Sequence, residues 1–351
     1  MTTGRKQQQQ HDETEDGLEM DKAEEGNRRG VPYTVSIAVC SSMVDNAQSL
    51  ELATMLAGQV ARCAGIFCAD EVVVVDDYGQ KEEGDKTVSS CAAFLARVLQ
   101  YMETPQYLRR SLVPQHPHLK HVGLLPPLNA PHHPRSTEWT KYREGVVVER
   151  ASTSDGGEGF SLVNVGLEKP VKVHKVLPAN QRVTVRLKDK GFEEAEKAGG
   201  DHYRGKVVSS LEPRSRKGSF WGYSVRLARG LREALHGGPW DYDLKIGTSE
   251  RGEVFDPSRT DLPGFRHLLV VFGAVDGLEF ALRNDRRGIE ATAEGGDPSG
   301  LFDLYLNTCP AQGTRTIRAE EAMVISMSLL STKFPKFFDK DAANATVPPQ
   351  A

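Results

Sequence analysis

Four consecutive valines at positions 72–75 constrain the fold of this chain more than any other feature of its sequence. Glu71 precedes them, and Asp76 and Asp77 follow them, so the run is a continuous apolar strand and not an alternating one. A strand of this kind is buried on both faces, as in a parallel sheet with helices on each side. The valine run therefore predicts an α/β fold.

The segments around the valine run complete a βαβ unit. Residues 33–40 are rich in β-branched side chains and predict a strand. A helix is expected over residues 48–64, because apolar residues recur there on one face: Leu52, Leu56, Val60 and Cys63. A second helix is expected over residues 88–102, with Thr87 or Ser89 as its N-cap.

Residues 146–236 follow a different pattern, in which short β-rich runs alternate with turn residues. The runs cover residues 145–148, 171–176, 182–187, 205–208 and 223–227. Short strands at close intervals predict a small barrel or sandwich. The α/β pattern then resumes with strands at 267–272 and 301–306 and a helix at 319–330, so we interpret the barrel as an insertion into one discontinuous α/β domain.

The predicted organisation therefore has five parts. Residues 31–145 and 237–334 form the two halves of the α/β domain, and residues 146–236 form the inserted barrel. Residues 1–30 carry five basic and eight acidic residues and few large apolar ones, so a disordered tail is expected there. Residues 335–351 are expected to be a second flexible end.

Charge and composition argue against several classes of protein. The chain has 44 basic and 48 acidic residues, so any nucleic-acid site must be local. No apolar run reaches the roughly 18 residues of a membrane helix, and the first residues lack a secretory signal, so a soluble intracellular protein is expected. Five cysteines without a CxxC pair predict reduced thiols. The sequence has neither a P-loop nor a GxSxG motif, which argues against phosphoryl transfer and hydrolysis.

Two loops that follow predicted strands, residues 273–277 and 307–318, mark the expected pocket. Ligands of open α/β sheets bind beyond the carboxyl ends of the strands. A glycine after a strand also fits an ordinary tight turn, which leaves the first loop open to both interpretations. The second loop is more specific, since its Asn, Thr, Pro, Gln and Gly residues offer amides, a hydroxyl and accessible backbone groups that suit an adenine ring.

The second loop also carries a family resemblance. With its flanks it reads LYLNTCPAQGTRTIRAEEA, which resembles the knotted carboxyl-terminal motif of the SPOUT (α/β-knot) methyltransferases and, among them, a subgroup of RNA methyltransferases with an inserted β-barrel. Further matching segments are VSIAVCSSMVDNAQSLELATMLAGQVARCAGIFCADEVVVVDD, LLPPLNAPHH, FWGYSVRLA, IGTSERG and LLVVFG. The resemblance spans about residues 31–332. It implies a Rossmann-like SPOUT domain with a mainly parallel sheet and a trefoil knot, interrupted by an OB-like barrel.

The resemblance implies S-adenosylmethionine as the cofactor, bound between the two loops. The residues implied in its binding are Arg251, Gly273, Asn307, Thr308, Pro310, Gly313, Thr316, Ile317, Arg318 and Ala322. An arginine at position 251 suits a bidentate ion pair with the methionine carboxylate, although a surface turn residue is the alternative interpretation. Ala274 departs from the family pattern, which more often has a second glycine there.

A basic cluster with interleaved aromatic residues predicts an RNA surface. Residues 202–232 hold eight basic side chains and one acid, Glu212. Cations contact phosphates and aromatic faces stack on unpaired bases, as on OB-like single-strand platforms. The RNA-binding candidates are Arg204, Lys206, Arg214, Arg216, Lys217, Trp221, Tyr223 and Arg226. Phe220 and Trp221 fit a barrel core equally well.

The resemblance further implies methyl transfer to a base or ribose of RNA, with ribosomal RNA as the expected substrate and uridine N3 as one acceptor. A ring nitrogen that carries a proton needs a base, and Glu250, Asp276 and Glu320 are candidates among which the sequence does not choose. A homodimer and a nuclear or nucleolar location are implied, with the cytoplasm as a further compartment. The alternative is a non-catalytic RNA-binding protein, or one associated with the spindle or kinetochore, whose cofactor pocket is vestigial.

Five of the ten histidines lie in the proline-rich segment 105–135: His116, His118, His121, His132 and His133. This density raises the alternative of a zinc site. No carboxylate or cysteine completes a recognised ligand spacing, so no metal is predicted. We interpret the segment as a rim loop that contacts RNA or a dimer partner.

Overall fold

A six-stranded parallel sheet forms the centre of the protein. The computed structural model describes residues 30–79, 88–151, 159–197, 199–285 and 296–335. In spatial order the strands are β11 (Leu304–Asn307), β9 (Leu244–Val254), β10 (His267–Phe272), β1 (Thr34–Cys40), β2 (Glu71–Val75) and β8 (Ser224–Ala228), and every neighbouring pair is parallel. The predicted α/β fold is confirmed.

Helices cover both faces of the sheet. One face carries α1 (Leu50–Ile66), α2 (Ser90–Glu103) and α8 (Ala319–Leu330), and the other carries α6 (Leu231–His236) and α7 (Gly277–Asn284). The four valines of β2 are fully buried and alternate between the two layers, with Val72 and Val74 in one core and Val73 and Val75 in the other. This arrangement is the reason for the continuous apolar run.

The capping residues fix where the first two helices begin. Ser49 Oγ accepts the Leu52 N–H at 3.3 Å, and Ser89 Oγ accepts the Ala92 N–H at 3.2 Å. Thr87, the other expected cap, lies outside the described residues. Of the four apolar residues expected on one face of α1, Leu56, Val60 and Cys63 are buried, whereas Leu52, in the first turn, is 50% exposed and lines a surface cavity beside the start of α8.

A closed five-stranded barrel lies between β2 and β8 in the sequence. Its strands are β3 (Tyr142–Ala151), β4 (Phe160–Asn164), β5 (Val171–Val173), β6 (Arg182–Leu187) and β7 (Tyr203–Val208), in the spatial order β3-β4-β5-β7-β6. The β5–β7 pair is parallel and the others are antiparallel. The predicted inserted barrel is therefore confirmed, and its strand number is that of an OB fold.

Some predicted elements are wrong. The run 223–227 was expected in the barrel, but it contributes β8 and pairs with β2 at the edge of the main sheet. The expected loop 105–135 contains α3 (Gln106–Leu112), and the strand expected from residue 301 begins at Leu304. The two remaining helices are α4 (Phe192–Lys197) and α5 (Glu212–Lys217).

The division into five parts stays a prediction. The tails predicted over residues 1–30 and 335–351 lie outside the described residues, except for Gly30 and Pro335. Within the described ranges, no helix has the length and apolar character needed to cross a membrane.

Candidate active site

A cavity of about 590 Å³ opens at the carboxyl edge of the sheet, where β9, β10 and β11 lie side by side. Its volume falls within the roughly 300–1,000 Å³ typical of small-molecule sites. Both loops singled out in the sequence, after β10 and after β11, contribute to its wall, and α8 closes it. The expected pocket is therefore present at the expected edge.

A bulge in β9 supplies one wall of the cavity. Between Tyr305 and Leu306 of β11 the register with β9 shifts, so that residues 248–252 of β9 are left without partners on β11. Residues 248–251 line the cavity. Because a bulge redirects side chains out of the regular ladder, it brings Arg251 to the cavity rim.

Two glycines close the loop after β10. A Cβ atom added to Gly273 would lie 2.7 Å from the carbonyl carbon of Gly277. Gly277 has a φ of +71°, and its N–H donates to the Ala274 carbonyl oxygen at 3.0 Å. The chain can therefore turn tightly from β10 into α7, with Ala274 in the cavity wall.

Burial and the nearby Asp77 hold the pKa of the Cys40 thiol, behind this loop, well above its usual value.

Side chains hold the loop after β11 in place. Asn307 donates from Nδ2 to the Glu250 carbonyl oxygen at 2.8 Å and accepts the Cys309 N–H on Oδ1 at 3.0 Å. The Thr308 and Ser326 hydroxyl oxygens are 2.8 Å apart, which joins the loop to α8. The Asn307 amide thus orders the loop against the β9 bulge.

The structure brings most of the predicted cofactor-binding residues together. The cavity is lined by Arg251, Gly273, Asn307, Thr308, Thr316, Ile317 and Ala322. Pro310, Gly313 and Arg318 are not among the lining residues. Arg318 caps α8 instead, because its N–H donates to Glu321 Oε2 at 3.0 Å and its guanidinium Nε lies 3.0 Å from Glu320 Oε1.

The cavity also contains a charged pair that sequence reasoning missed. Arg251 Nη1 donates to Glu279 Oε1 at 3.1 Å. The Arg251 side chain is 74% exposed and the Glu279 side chain only 22%. Glu279 and Arg283 lie one turn apart on α7 and both line the cavity. The apolar spacing of Leu278, Ala281 and Leu282 was the available signal for this helix.

The three candidate bases lie in different surroundings. Glu250 and Asp276 line the cavity, and both are exposed to solvent. Glu320 lies elsewhere: it is 8% exposed, pairs with Arg318 and lines a second cavity between the start of α8 and α1. The structure therefore brings two of the three to the cavity at the edge of the sheet.

Three of the predicted RNA-binding residues are packed inside the protein. Arg214 lies 3.0 Å from Asp70 and donates to the Tyr33 carbonyl oxygen at 3.1 Å. Arg226 Nε donates to Glu71 at 2.8 Å, and Tyr223 donates to the Leu99 carbonyl oxygen at 3.0 Å. These contacts show that all three side chains stabilise the fold.

The other candidates lie on or near the surface. Lys206 and Lys217 are exposed, Arg204 pairs with Asp189, and Arg216 lies 3.8 Å from Glu212. Trp221 is half-buried and donates from Nε1 to Glu144 at 2.7 Å.

A basic row connects the barrel with α5. Lys206, Arg186 and Tyr142 are neighbours across three adjacent strands. The Lys217 ammonium lies 5.9 Å from the Tyr142 ring centre, and Arg186 lies 3.2 Å from Glu212 of α5. We call Lys206, Arg186, Arg216 and Lys217 the basic face, and the buried Tyr142 lies below it.

An ion pair joins the barrel to α2. Arg182 of β6 donates to the Glu103 carboxylate at 2.7 and 2.8 Å, and to Glu144 at 2.7 Å. Burial by itself raises the pKa of Glu103, but hydrogen bonds from Arg182 and His132 outweigh it and lower the pKa to about 2. The barrel is thus held against the sheet domain by a buried charge pair.

The histidine-rich segment divides between this junction and the surface. His132 and His133 each donate from Nε2 to the Glu103 carbonyl oxygen, at 3.0 and 2.7 Å. His116 and His118 contact the guanidinium of Arg97. In the described part of the chain, no three His, Cys, Asp or Glu residues are grouped in a way that could hold a metal ion.

The comparisons with known proteins agree with this geometry. The model of a family described as "Putative RNA methyltransferase" matches residues 34–330. The chain belongs to this family. It is 48% identical over 322 residues to a human protein named 28S rRNA (uridine-N(3))-methyltransferase, which covers 89% of this chain and 81% of the human protein.

Two further relatives carry the same name. The mouse protein is 48% identical over 314 residues, covering 87% of this chain and 77% of the mouse protein. The Drosophila melanogaster protein is 42% identical over 318 residues, covering 86% of this chain and 62% of the fly protein. The family match includes the sheet and the barrel, and it places the protein among RNA methyltransferases, whose reaction requires a methyl donor.

Proposed function

We propose that this protein uses S-adenosylmethionine to methylate N3 of a uridine in the large-subunit ribosomal RNA. The observation that carries the proposal is the cavity at the ends of β9, β10 and β11, where separate segments of the chain converge. The human, mouse and fly relatives are named for this reaction. These names favour an enzyme over a protein with a vestigial pocket.

The residues of the cavity fit the proposed cofactor. Gly273 and Gly277 allow the loop after β10 to turn tightly in the cavity wall, and Ile317 and Ala322 add apolar surface for an adenosine. Arg251, at the rim, already holds a carboxylate, that of Glu279. A methionine carboxylate is the same chemical group, so it can compete for this guanidinium.

The chain has to orient two ligands. When bound, S-adenosylmethionine supplies a methyl group that is activated by a positively charged sulfur. The β9 bulge and the loops after β10 and β11 hold the reacting groups at a fixed distance, and this proximity supplies much of the rate acceleration. The basic face supplies cations for RNA phosphates, and the buried ring of Tyr142 lies next to Lys217 below this surface.

The proposal includes the SPOUT fold and its trefoil knot. Two contacts support it: Thr308 joins the loop after β11 to α8, and α8 returns to pack beside α1 in the same core. A knot of this kind is a rare exception among protein folds.

A homodimer and a nuclear or nucleolar location belong to the same proposal. Leu52 and Met55 of α1 are exposed apolar side chains that line the cavity between α1 and the start of α8. A second copy of the chain could cover them in a two-fold interface. The nucleolar location follows from the proposed substrate, because ribosomal RNA is made and first modified in the nucleolus. A cytoplasmic pool and an association with the spindle or kinetochore stay hypotheses.

Calorimetry and a methylation assay test the proposal together. The purified full chain is titrated with S-adenosylmethionine and S-adenosylhomocysteine, beside Asn307→Ala and Arg251→Ala. Large-subunit ribosomal RNA that lacks the modification is then incubated with labelled cofactor, and its nucleosides are analysed by mass spectrometry. We expect binding that both substitutions weaken, and 3-methyluridine as the product.

Arg259→Ala is the matched control, because Arg259 is an exposed arginine that does not line the cavity. Its binding and activity are expected to equal those of the unaltered protein. Folded protein that binds neither ligand, with or without RNA, contradicts the proposed function. A methylated nucleoside other than 3-methyluridine contradicts the proposed acceptor only.

A further inference from the structure

Glu279 differs from the other carboxylates of the cavity in its surroundings. It lies in the first turn of α7 with a side chain that is only 22% exposed, whereas Glu250 and Asp276 are exposed. Water donates hydrogen bonds to the oxygens of an exposed carboxylate. These bonds must break before the carboxylate can accept a proton from a substrate. A carboxylate with little solvent contact is the better placed proton acceptor.

One oxygen of Glu279 is engaged and the other is available. Oε1 accepts from Arg251 Nη1 at 3.1 Å. Oε2 lies over the backbone of Gly277, where an added Cβ would approach it to 2.3 Å. Oε2 has no hydrogen-bond partner within the part of the chain that the structure describes. The pair with Arg251 therefore fixes the carboxylate and leaves Oε2 free to accept a proton, on a residue that lines the cavity.

Methylation at N3 of uridine makes a specific demand on the site. The N3–H bond must lose its proton before the nitrogen lone pair can attack, and the uracil N–H is a weak acid at neutral pH. An acceptor in the cavity must therefore take this proton. The proposed function thus requires a base within reach of the reacting atoms.

We propose that Glu279 is this base and that Arg251 orients it; the inference rests on the proposed uridine N3 methylation. The N3 proton passes to Oε2, and the electron pair of the N–H bond stays on N3. That pair forms the new bond to the methyl carbon, and the pair of the carbon–sulfur bond leaves with sulfur as a neutral thioether. A guanidinium has five N–H donors and Glu279 accepts from Nη1 only, so Arg251 can hold a cofactor carboxylate and orient Glu279 at the same time.

The first test compares Glu279→Gln with Glu253→Gln. Glu253 is an exposed carboxylate of β9 that does not line the cavity, so its substitution is expected to leave activity unchanged. Glu279→Gln keeps the shape of the side chain and is expected to lower kcat by at least about 100-fold. Its affinity for S-adenosylmethionine, measured by calorimetry, is expected to stay equal or become tighter, since a competitor for Arg251 is removed.

The second test asks whether the defect concerns a proton. The loss in Glu279→Gln is expected to shrink as pH rises, because hydroxide removes the N3 proton. It is also expected to shrink with RNA that carries 5-fluorouridine at the acceptor, since fluorine makes N3–H more acidic. Glu279→Asp, which restores a carboxylate at a shorter reach, is expected to recover part of the rate.

Three results overturn the inference. Activity of Glu279→Gln within about threefold of the unaltered protein excludes Glu279 as the base. Weakened cofactor binding, with a rate loss that neither pH nor 5-fluorouridine relieves, assigns Glu279 to holding the cofactor. Unaltered protein that binds the cofactor and methylates no uridine N3 refutes the proposed acceptor, and the inference with it.

Discussion

At the scale of single residues, basic side chains serve two different purposes in this protein. Arg226 and Arg182 are paired with the buried carboxylates of Glu71 and Glu103, so they balance charge in the interior. Lys206 and Lys217 extend from the surface. Counting charges along residues 202–232 cannot separate the two groups, because Asp70 and Glu71, the partners of Arg214 and Arg226, lie far away in the sequence.

Arg226→Gln and Lys206→Gln are expected to have opposite effects. Arg226→Gln leaves the buried Glu71 without its cation, so the free energy of unfolding should fall by about 3 kcal/mol. Lys206→Gln should leave stability unchanged, weaken RNA binding, and reduce the slope of log affinity against log salt by about one. Urea unfolding and binding titrations at several salt concentrations measure both. Equal loss of RNA affinity in two stable variants would contradict the structural task given to Arg226.

Gly222 is a second residue whose task depends on a distant partner. Its φ is +87°, and an added Cβ would lie 2.4 Å from Glu103 Oε1 and 3.0 Å from His132 Nε2. Gly222→Ala is therefore expected to lower the free energy of unfolding by about 2 kcal/mol or more, from backbone strain and displacement of the carboxylate. Gly264→Ala, where no atom lies within 4 Å and φ is ordinary, is the matched control and should change stability little. Equal stability of the two variants would show that Glu103 and His132 can shift to accommodate the added methyl group.

At the scale of elements, the sequence predicted those helices and strands whose positions follow from a local residue pattern. The strands β1 and β2 and the helices α1, α2 and α8 were found because their burial follows directly from their own periodicity. β8 was assigned to the wrong unit, since a short β-rich run looks the same in a barrel as at a sheet edge. β9 was missed as a strand because glycine and polar residues of its bulge interrupt the apolar pattern.

The same reasoning explains the outcome at the candidate site. The loops after β10 and β11 were identifiable because strand ends and loop residues are local features, and both loops line the cavity. Glu279 could not be identified as a candidate base from the sequence. Its hydrogen bond with Arg251 requires α7 to face the β9 bulge, and only the tertiary structure brings these two elements together.

The exposed apolar side of α1 leads to a prediction about assembly. Leu52 occupies a core-type position of the amphipathic pattern, yet half of its side chain is exposed. If a second copy covers it, Leu52→Asp should convert a dimer into a monomer, because a buried unpaired carboxylate is costly. Light scattering coupled to size-exclusion chromatography measures the mass, and Leu124→Asp, at another exposed leucine, is the control. A dimeric Leu52→Asp variant, or a monomeric unaltered protein, would refute this interface.

At the scale of the whole molecule, the barrel and the sheet domain meet at one buried polar junction. Glu103, Arg182 and Glu144 form its charged part, and His132 and His133 donate to the Glu103 backbone. Burial, with His132 nearby, lowers the pKa of His133 to about 3. A junction of this kind fixes the orientation of the basic face relative to the cavity at the edge of the sheet.

The junction is expected to make stability depend on pH. Both His133 and Glu103 have folded pKa values below their usual ones, so the unfolded chain binds more protons as pH falls. Stability should therefore decline from about pH 6.5 downward through His133, and below about pH 4.5 through Glu103. Between pH 7 and pH 4, His133→Gln should lose less stability than the unaltered protein, by about 1–3 kcal/mol.

Urea unfolding at each pH measures this difference. His174→Gln, which removes an exposed histidine of the barrel, should follow the unaltered protein. An acid decline that is the same in all three proteins would mean that other groups control it.

The parallel pairing of β1 with β10 has a consequence for synthesis on the ribosome. Thr34 faces His267, so a strand made near the start of the chain finds its central partner only after more than 230 further residues. At about 5–20 residues per second, roughly 10–50 s pass before β10 emerges. The barrel needs only residues 142–208, so it can close first. During that interval β1 presents an unpaired apolar edge, and an edge of this kind is a binding site for a chaperone on the nascent chain.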